Sequence, residues 1–212
     1  MKKSLSLFAF LMITGFTLAQ PIHYITFNGT DQYMRIPHHS DFNIAADQSF
    51  TLTGWVRNET YTASPRYVCK RDMAAQSAGN ERTGYEFFGT GNAGQSLGLN
   101  TPTATTGHAL SIYTGATIPA GEWTHFALVV DRANNEIRIH HDMNMPDSWS
   151  APLNDWFVAN THDVFVGAGN NNGQPTYFCN GSFANIRFYG MALDHEAIVT
   201  DYYHNDLAEL TP

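Results

Sequence analysis

Aromatic side chains in polar, loop-like segments are the first candidates for chemistry in this sequence. An aromatic ring can pack against the apolar face of a pyranose while neighbouring amide groups hydrogen-bond to its hydroxyls. Amide side chains also stand just before the last of these aromatic residues. The pattern predicts a sugar-binding surface, although exposed aromatic residues mark binding surfaces for proteins as well. The predicted ligand-binding residues are Tyr61, Trp149, Trp156, Asn171, Asn172, Gln174 and Tyr177.

Paired carboxylates, which most glycosidases use as acid and base, are not apparent. Such enzymes need two carboxyl groups about 5 to 9 Å apart across a cleft, and the sequence contains no Glu-x-Asp-x-Glu run. The acidic pair Asp194 and Glu196 stands at the start of a predicted helix, where capping explains both residues. We therefore expect no catalytic residues. A polysaccharide lyase or glycosidase of another design stays open as an alternative, because lyases use His, Tyr, Arg and Gln.

Two pairs of adjacent histidines, His38-His39 and His140-His141, suggest metal binding. Adjacent side chains in a strand point to opposite faces, so neither pair can hold one ion. Zinc would also need further ligands at matched spacing. We expect these histidines to lie at the surface.

Cys69 and Cys179 are the only cysteines in the chain. An even pair in an exported protein is compatible with one disulfide. We expect a Cys69–Cys179 bridge, with two buried free thiols as the alternative.

The amino terminus predicts export. Lys2 and Lys3 precede an apolar run from Leu5 to Phe16, and Thr17-Leu18-Ala19 forms a cleavage site of small residues. The run is shorter than the roughly 20 residues that span a bilayer, and no second one follows, so we expect no transmembrane segment. Residues 1–19 are therefore predicted to be a signal peptide and residues 20–212 a single domain. The expected location is secreted, periplasmic or at the cell surface.

The charge of the chain excludes some partners. It has 11 Lys and Arg against 19 Asp and Glu, a formal net charge of −8. Nucleic acids and anionic membranes bind proteins through clustered basic residues. We therefore expect no nucleic-acid partner.

Strand patterns recur along the whole domain. Phe50, Leu52 and Val56 alternate with polar or aromatic residues, and Ala184, Ile186 and Phe188 are predicted to share one face of the last strand. The pattern predicts an all-β domain of two packed antiparallel sheets, with long loops over residues 72–83, 89–108 and 142–162. One short helix is predicted after Asp194, packed against an edge of the sandwich. The strand candidates cover residues 23–27, 32–36, 49–57, 66–70, 84–88, 109–113, 123–130, 136–140, 163–167 and 182–189.

The order of motifs resembles the laminin-G-like group of concanavalin A-like lectin and glucanase domains. The segments that carry the resemblance are Phe27-Asn28-Gly29, Phe50-Thr51-Leu52-Thr53-Gly54-Trp55-Val56, Trp123-Thr124-His125-Phe126-Ala127-Leu128-Val129, Val164-Phe165-Val166-Gly167 and Ile186-Arg187-Phe188-Tyr189. The resemblance implies a two-sheet antiparallel jelly-roll sandwich. It also implies a non-catalytic carbohydrate-binding module, of the kind that is accessory to a glycoside hydrolase such as a sialidase, with a glycan or glycoconjugate as partner. A protein-interaction or adhesion domain that binds a cell-surface protein is the alternative.

Many domains of this group hold a structural calcium ion, so the resemblance also implies calcium as a possible cofactor. Where relatives carry an Asp before the Ile-Arg-Phe-Tyr segment, this chain has Asn185, which supplies an oxygen without the charge. The expected calcium ligands are Asn28, Asp31 and Asn185. The alternative is that Asn28 and Asp31 only form the turn at Gly29.

Overall fold

The protein is described by a computed structural model over residues 23–43, 45, 47–60, 64–72, 84–90, 96–102, 109–114, 118–150, 153 and 159–203. The predicted signal peptide lies outside these ranges. Within them, no helix is both long enough and apolar enough to cross a membrane.

Two six-stranded antiparallel sheets form the domain, and their strand orders are β1-β14-β3-β8-β9-β10 and β2-β11-β4-β5-β6-β7. The strands, numbered in chain order, are β1 (Ile25–Asn28), β2 (Met34–Ile36), β3 (Phe50–Asn58), β4 (Arg66–Cys69), β5 (Glu86–Thr90), β6 (Ser96–Pro102), β7 (Ala109–Tyr113), β8 (Thr124–Asp131), β9 (Glu136–His141), β10 (Asp147–Ser150), β11 (Val164–Val166), β12 (Gly169–Asn171), β13 (Gln174–Thr176) and β14 (Asn180–Tyr189). β12 and β13 pair as a separate hairpin. A 3₁₀ turn (Ser40–Phe42) and α1 (His195–Tyr203) complete the described elements.

The predicted all-β sandwich is confirmed, and every predicted strand is present. The two ends of the domain pair directly, since β1 lies beside β14 with Ile25 opposite Phe183 and Asn28 opposite Asn180. Two of the predicted loops were wrong in part. β6 lies within residues 89–108 and pairs with both β5 and β7, and β10 lies within residues 142–162 at the edge of the first sheet, because polar segments can also supply the backbone hydrogen bonds of a strand.

The main core lies between the two sheets and follows the predicted alternation. Phe50, Leu52 and Val56 of β3 are buried in it, as are Ile137 and Ile139 of β9. Full burial of such a side chain stabilises the fold by roughly 1.5–3 kcal/mol. The opposite face of β3 carries Trp55, which belongs to a second cluster on the outer face of the first sheet.

The last strand departs from the predicted alternation at one point. The register between β14 and β3 shifts between Ala184 and Arg187, and Asn185 has a positive φ of 50°. Such a β-bulge adds one residue to the strand and so reverses the faces on either side of it. Ala184 therefore packs in the outer cluster with Trp55, whereas Ile186 and Phe188 pack against the main core. The prediction that Ala184 shares their face was wrong.

The helix α1 begins as predicted but packs elsewhere. Asp194 Oδ1 accepts a hydrogen bond from Ala197 N at 2.8 Å, which is the expected cap. Ile198 packs with Ala127 and Val129 of β8, in the middle of the first sheet. The helix therefore covers the outer face of that sheet rather than an edge.

The predicted Cys69–Cys179 disulfide is absent, and both cysteines are free and buried. Cys69 packs with Phe165 outside the second sheet, whereas Cys179 lies in the main core, so the two thiols belong to different clusters. Burial raises the pKa of the Cys69 thiol to about 11, with Glu86 adding to the effect, and that of Cys179 to about 12. Neither thiol is reactive in the folded protein.

This arrangement predicts the outcome of thiol labelling without reductant. The native protein should react with Ellman's reagent at neither cysteine, and the urea-unfolded protein should react at both. Single Cys69→Ala and Cys179→Ala variants serve as controls and should each release one thiol on unfolding. Unfolded protein that releases no thiol would show that the bridge forms after all.

Candidate functional site

The β12–β13 hairpin carries three of the predicted binding residues. Its two-residue turn is Asn172-Gly173, with positive φ values of 54° and 80°. Tight hairpin turns of type I′ need positive φ at both central positions, and Asn-Gly adopts it at little cost. The side chains of Asn171, Asn172 and Gln174 are all exposed on this hairpin.

One polar side chain closes the hairpin turn, and another connects the hairpin to the end of β4. Asn170 is buried, and its Oδ1 accepts a hydrogen bond from Gly173 N at 2.7 Å. Asp72, just after β4, forms a β-bridge with Asn170, and its Oδ1 accepts a hydrogen bond from Asn172 N at 2.8 Å. The hairpin is thus held in a defined position on the sheet.

Tyr177 follows β13 at the base of the hairpin, and the residue is 48% exposed. Its φ is 49°, an unusual value for a bulky residue and one that the surroundings must stabilise. Arg66 supplies two such contacts. Arg66 N donates a hydrogen bond to Tyr177 O at 3.1 Å, and the guanidinium carbon lies 4.6 Å from the ring centroid. We call Asn171, Asn172, Gln174 and Tyr177 the hairpin surface.

Beneath Tyr177 lies a cluster of buried charges. Arg66 Nε donates to Glu86 Oε2 at 3.0 Å, and Arg71 Nη1 lies 3.5 Å from Glu86 Oε1. The Arg66 guanidinium also lies 4.6 Å from the ring centroid of Phe88, so it contacts the rings of both Phe88 and Tyr177. Charged pairs of this kind in a dry environment hold their side chains in one geometry. Arg66 is therefore a fixed support for Tyr177.

Strand register explains how these residues meet. Cys69 of β4 pairs with Glu86 of β5, and Arg66 pairs with Phe88. Paired residues of antiparallel strands share a face. Phe87 packs in the main core, so Glu86 points to the outer face of the second sheet. The charge cluster and Tyr177 therefore lie on that outer face.

The remaining predicted binding residues do not join this surface. The prediction that Trp149 lies in a loop was wrong. It lies in β10 opposite the buried Ile137 and packs against the main core. Tyr61 and Trp156 lie outside the described residues. Arg66 and Glu86 were missed, although opposite charges within two neighbouring strand candidates were a signal. Only the strand register could show that they form a pair.

Of the predicted calcium ligands, Asn28 and Asp31 lie together, whereas Asn185 lies apart from them. Asn28 Oδ1 accepts hydrogen bonds from the backbone N of Thr30, Asp31 and Gln32, and Asn28 Nδ2 donates to Asp31 Oδ1 at 2.8 Å. These contacts form the turn at Gly29, which was the alternative to a calcium site. Asn185 lies five positions along β14 from Asn180, the partner of Asn28, which corresponds to roughly 16 Å. Within the described ranges, no three His, Cys, Asp or Glu side chains form a group that could hold a metal ion.

Comparison with known proteins identifies a family. The profile of a laminin G family, described as the Concanavalin A-like lectin/glucanases superfamily, matches residues 28–199. Among curated proteins, none has a significantly similar sequence.

Several solved structures share the fold. The CBM40 of the Ruminococcus gnavus IT-sialidase, bound to α2,3-sialyllactose, has a TM-score of 0.62 and 12% identity over 85% of this chain and 98% of its own. The leech intramolecular trans-sialidase, in complex with 2,7-anhydro-Neu5Ac, has a TM-score of 0.67 and 15% identity over 85% of this chain and 27% of its own. A heptameric SAP-like pentraxin from Limulus polyphemus has a TM-score of 0.58 and 15% identity, covering 84% of this chain and 80% of its own. At these identities the likeness shows the fold alone.

Proposed function

The chain belongs to the concanavalin A-like lectin/glucanase superfamily, and from this membership we propose that it is an exported, non-catalytic carbohydrate-binding module. The proposal places a glycan on the hairpin surface. Export rests on the amino-terminal sequence pattern of residues 1–19. Other members of the superfamily fold, including the CBM40 structures with sialyllactose, support a glycan as the ligand.

The observation that carries the proposal is the supported ring of Tyr177. An exposed aromatic ring binds the apolar face of a sugar best when it is rigid, because little side-chain entropy is lost on binding. Arg66 holds Tyr177 through its backbone N and its guanidinium. The amides of Asn171, Asn172 and Gln174 supply donors and acceptors for hydroxyls up to roughly 10 Å away along the hairpin. That span suits a short oligosaccharide.

The charges favour an acidic sugar at the Tyr177 end. Arg66 and Arg71 against Glu86 leave one net positive charge beneath the ring, and such a charge favours a carboxylate nearby. Asp72 adds a negative charge at the hairpin tip. A sialylated glycan with its carboxylate near Tyr177 is therefore our first candidate ligand. A role as accessory module to a sialidase or another glycoside hydrolase is part of the same proposal, and the fold shared with the CBM40 of a sialidase supports it.

The test is a calorimetric titration with sialyllactose and with lactose. We expect Tyr177→Ala to weaken sialyllactose binding about tenfold or more, equivalent to about 1.4 kcal/mol. Tyr24→Ala is the matched control, because Tyr24 is 57% exposed and lies before β1 on the other sheet. Equal affinities of Tyr177→Ala and the unchanged protein would contradict the proposal.

A glycan array, run with added calcium and with EDTA, extends this test. Binding that needs calcium would support calcium as a cofactor, a prediction that rests on the family resemblance. An array without any bound glycan, together with capture of one cell-surface protein that added oligosaccharide does not release, would favour an adhesion domain instead. Turnover of a polysaccharide by the purified protein would favour an enzyme.

A further inference from the structure

A cavity of about 210 Å³ lies beside the tip of the β12–β13 hairpin. Asn170 and Gly173 of the hairpin line it, together with Arg35 of β2 and residues 161–163 just before β11. Gly173 stands four positions before Tyr177 in the chain, which corresponds to at most roughly 13 Å along the hairpin. The cavity is therefore within reach of a short oligosaccharide that contacts the Tyr177 ring.

The cavity and Tyr177 lie on the same face of the domain. Arg35 is opposite Phe165 of β11, which is opposite Cys69 of β4. Cys69 is in turn opposite Glu86 of β5. Because paired residues of antiparallel strands share a face, Arg35 lies on the outer face of the second sheet, as does Glu86 beneath Tyr177. A ligand on the hairpin surface can extend to the cavity without leaving this face.

Arg35 has hydrogen-bonding capacity that the protein does not use. Its Nε donates to Asp163 Oδ2, whereas its two terminal nitrogen atoms donate to no group among the residues that the structure describes. The side chain is 61% exposed, so these nitrogen atoms are accessible to a ligand. A guanidinium presents its N–H donors in a planar fork, and it can therefore donate to two neighbouring ligand oxygens at once.

The other polar groups of the lining supply acceptors and further donors. Asp163 Oδ1 accepts a hydrogen bond from His38 N at 2.8 Å, and each carboxylate oxygen has a second lone pair. Thr161 is exposed, and its hydroxyl has no partner within the described ranges. Asn170 is buried, and its Oδ1 accepts from Gly173 N, whereas its Nδ2 donates to no described group. Sugar hydroxyls both donate and accept, so they match this mixture of groups.

The charges and the size of the cavity favour a neutral sugar. Arg35 and Asp163 form an ion pair, and Asp72 lies at the same end of the hairpin, where it accepts from Asn172 N. A carboxylate here would face Asp163 and Asp72, whereas the Arg35 guanidinium opposes a cation. The cavity is smaller than the roughly 300–1,000 Å³ of sites for drug-sized ligands. It suits a single monosaccharide unit.

We propose that this cavity is a second sugar subsite, in which Arg35, Asp163 and Thr161 bind the hydroxyls of a neutral hexose. The inference rests on the proposed glycan binding at the hairpin surface and adds the direction of the ligand, from Tyr177 towards the hairpin tip. In a sialylated glycan, the acidic sugar then lies at Tyr177 and the neutral hexoses lie at the cavity.

The experiment compares sialyllactose with the methyl α-glycoside of N-acetylneuraminic acid, which lacks the lactose part, by calorimetric titration. We expect sialyllactose to bind about fivefold more tightly or better, the effect of roughly one net hydrogen bond. Arg35→Gln should remove most of this preference, Thr161→Val should reduce it, and both should leave the affinity for the methyl glycoside unchanged. Arg57→Gln is the matched control, because Arg57 forms a partly exposed ion pair with Glu59 beside the first sheet. It should change neither affinity, and melting curves verify that each variant folds.

Two results would overturn the inference. The first is equal affinity of the unchanged protein for the two ligands, and the second is an Arg35→Gln variant that keeps the full preference for sialyllactose. If Tyr177→Ala still weakens binding in either case, the hairpin surface binds the acidic sugar and only the second subsite is wrong. If neither ligand binds to the unchanged protein, the proposed function is wrong and the subsite with it.

Discussion

Asp201→Asn should destabilise the protein by about 3–5 kcal/mol, because it removes the carboxylate from a buried polar network. Asp201 lies on α1 and is 7% exposed. Arg187 Nη1 donates to its Oδ1 at 2.8 Å and the Tyr189 hydroxyl at 2.7 Å, while His125 Nε2 lies 3.1 Å from Oδ2. These three partners come from β8 and β14, so the network joins the helix to the first sheet.

The loss is measured by urea unfolding at neutral pH, and Asp147→Asn, at an exposed carboxylate on β10, is the matched control. An exposed position such as Asp147 should change the free energy of unfolding by less than about 0.5 kcal/mol. A similarly small change in Asp201→Asn would show that the network adds nothing to stability. If the variant does not fold at all, the pH dependence of the unchanged protein provides the second measurement.

The pH dependence follows from the pKa of Asp201. Burial alone raises this pKa, but hydrogen bonds from His125, Tyr189 and Thr53 and the charge of Arg187 outweigh it, and the pKa falls to about 2. A carboxyl group whose folded pKa is lowered stabilises the fold above its unfolded pKa, and that contribution is lost as pH falls. We expect the unchanged protein to lose about 2 kcal/mol of stability between about pH 4 and pH 2. Asp201→Asn should lack this loss.

His140 gives a separate effect at higher pH. It was predicted to be exposed, but it is fully buried and stacks on His195 with 5.7 Å between ring centroids. Burial and the nearby His195 and Arg138 lower its pKa to about 4. The unfolded chain therefore binds this proton more readily, so stability falls as pH drops from about 6.5 to about 4. This decrease should persist in Asp201→Asn, which distinguishes the two groups.

Glu86→Gln is the second substitution with a large expected effect, about 3 kcal/mol or more of stability. Glu86 is fully buried between Arg66, which is 7% exposed, and Arg71, which is 2% exposed. Glutamine keeps the shape of the side chain but removes its charge, so two buried guanidinium groups face each other without the carboxylate. The free energy of unfolding in urea measures the loss.

The same substitution reports on the hairpin surface. Arg66 supports the ring of Tyr177, and Glu86 orients Arg66. We therefore expect Glu86→Gln to weaken glycan binding by roughly the same factor as Tyr177→Ala. Glu136→Gln is the control, because Glu136 pairs with Arg138 near the surface of β9, where such pairs contribute less than about 1 kcal/mol. If Glu86→Gln and Glu136→Gln bind the glycan with equal affinity, Glu86 does not support the hairpin surface.

Local patterns in the sequence were sufficient for ten of the strands, the helix and the type of fold, but not for β6, β10, β12 and β13. The alternation of Phe50, Leu52 and Val56 marked the core face of β3, and Asp194 marked the start of α1, because both signals depend on residues within a few positions of each other. The same reasoning could place Tyr177 near three amide side chains, which are neighbours in the chain.

Contacts between distant segments were decided only by the tertiary structure. Asn185 reverses the faces of β14 through one bulge, and Trp149 turns inward because its register partner is Ile137. Cys69 and Cys179 separate into different clusters. Arg66 and Glu86 meet beneath Tyr177 because β4 and β5 pair in one register among several that their composition would allow. The hydrophobic pattern fixes which face of a strand is buried, but a register shift of two residues keeps that face and changes every cross-strand partner, so the partners are decided only in the folded sheet.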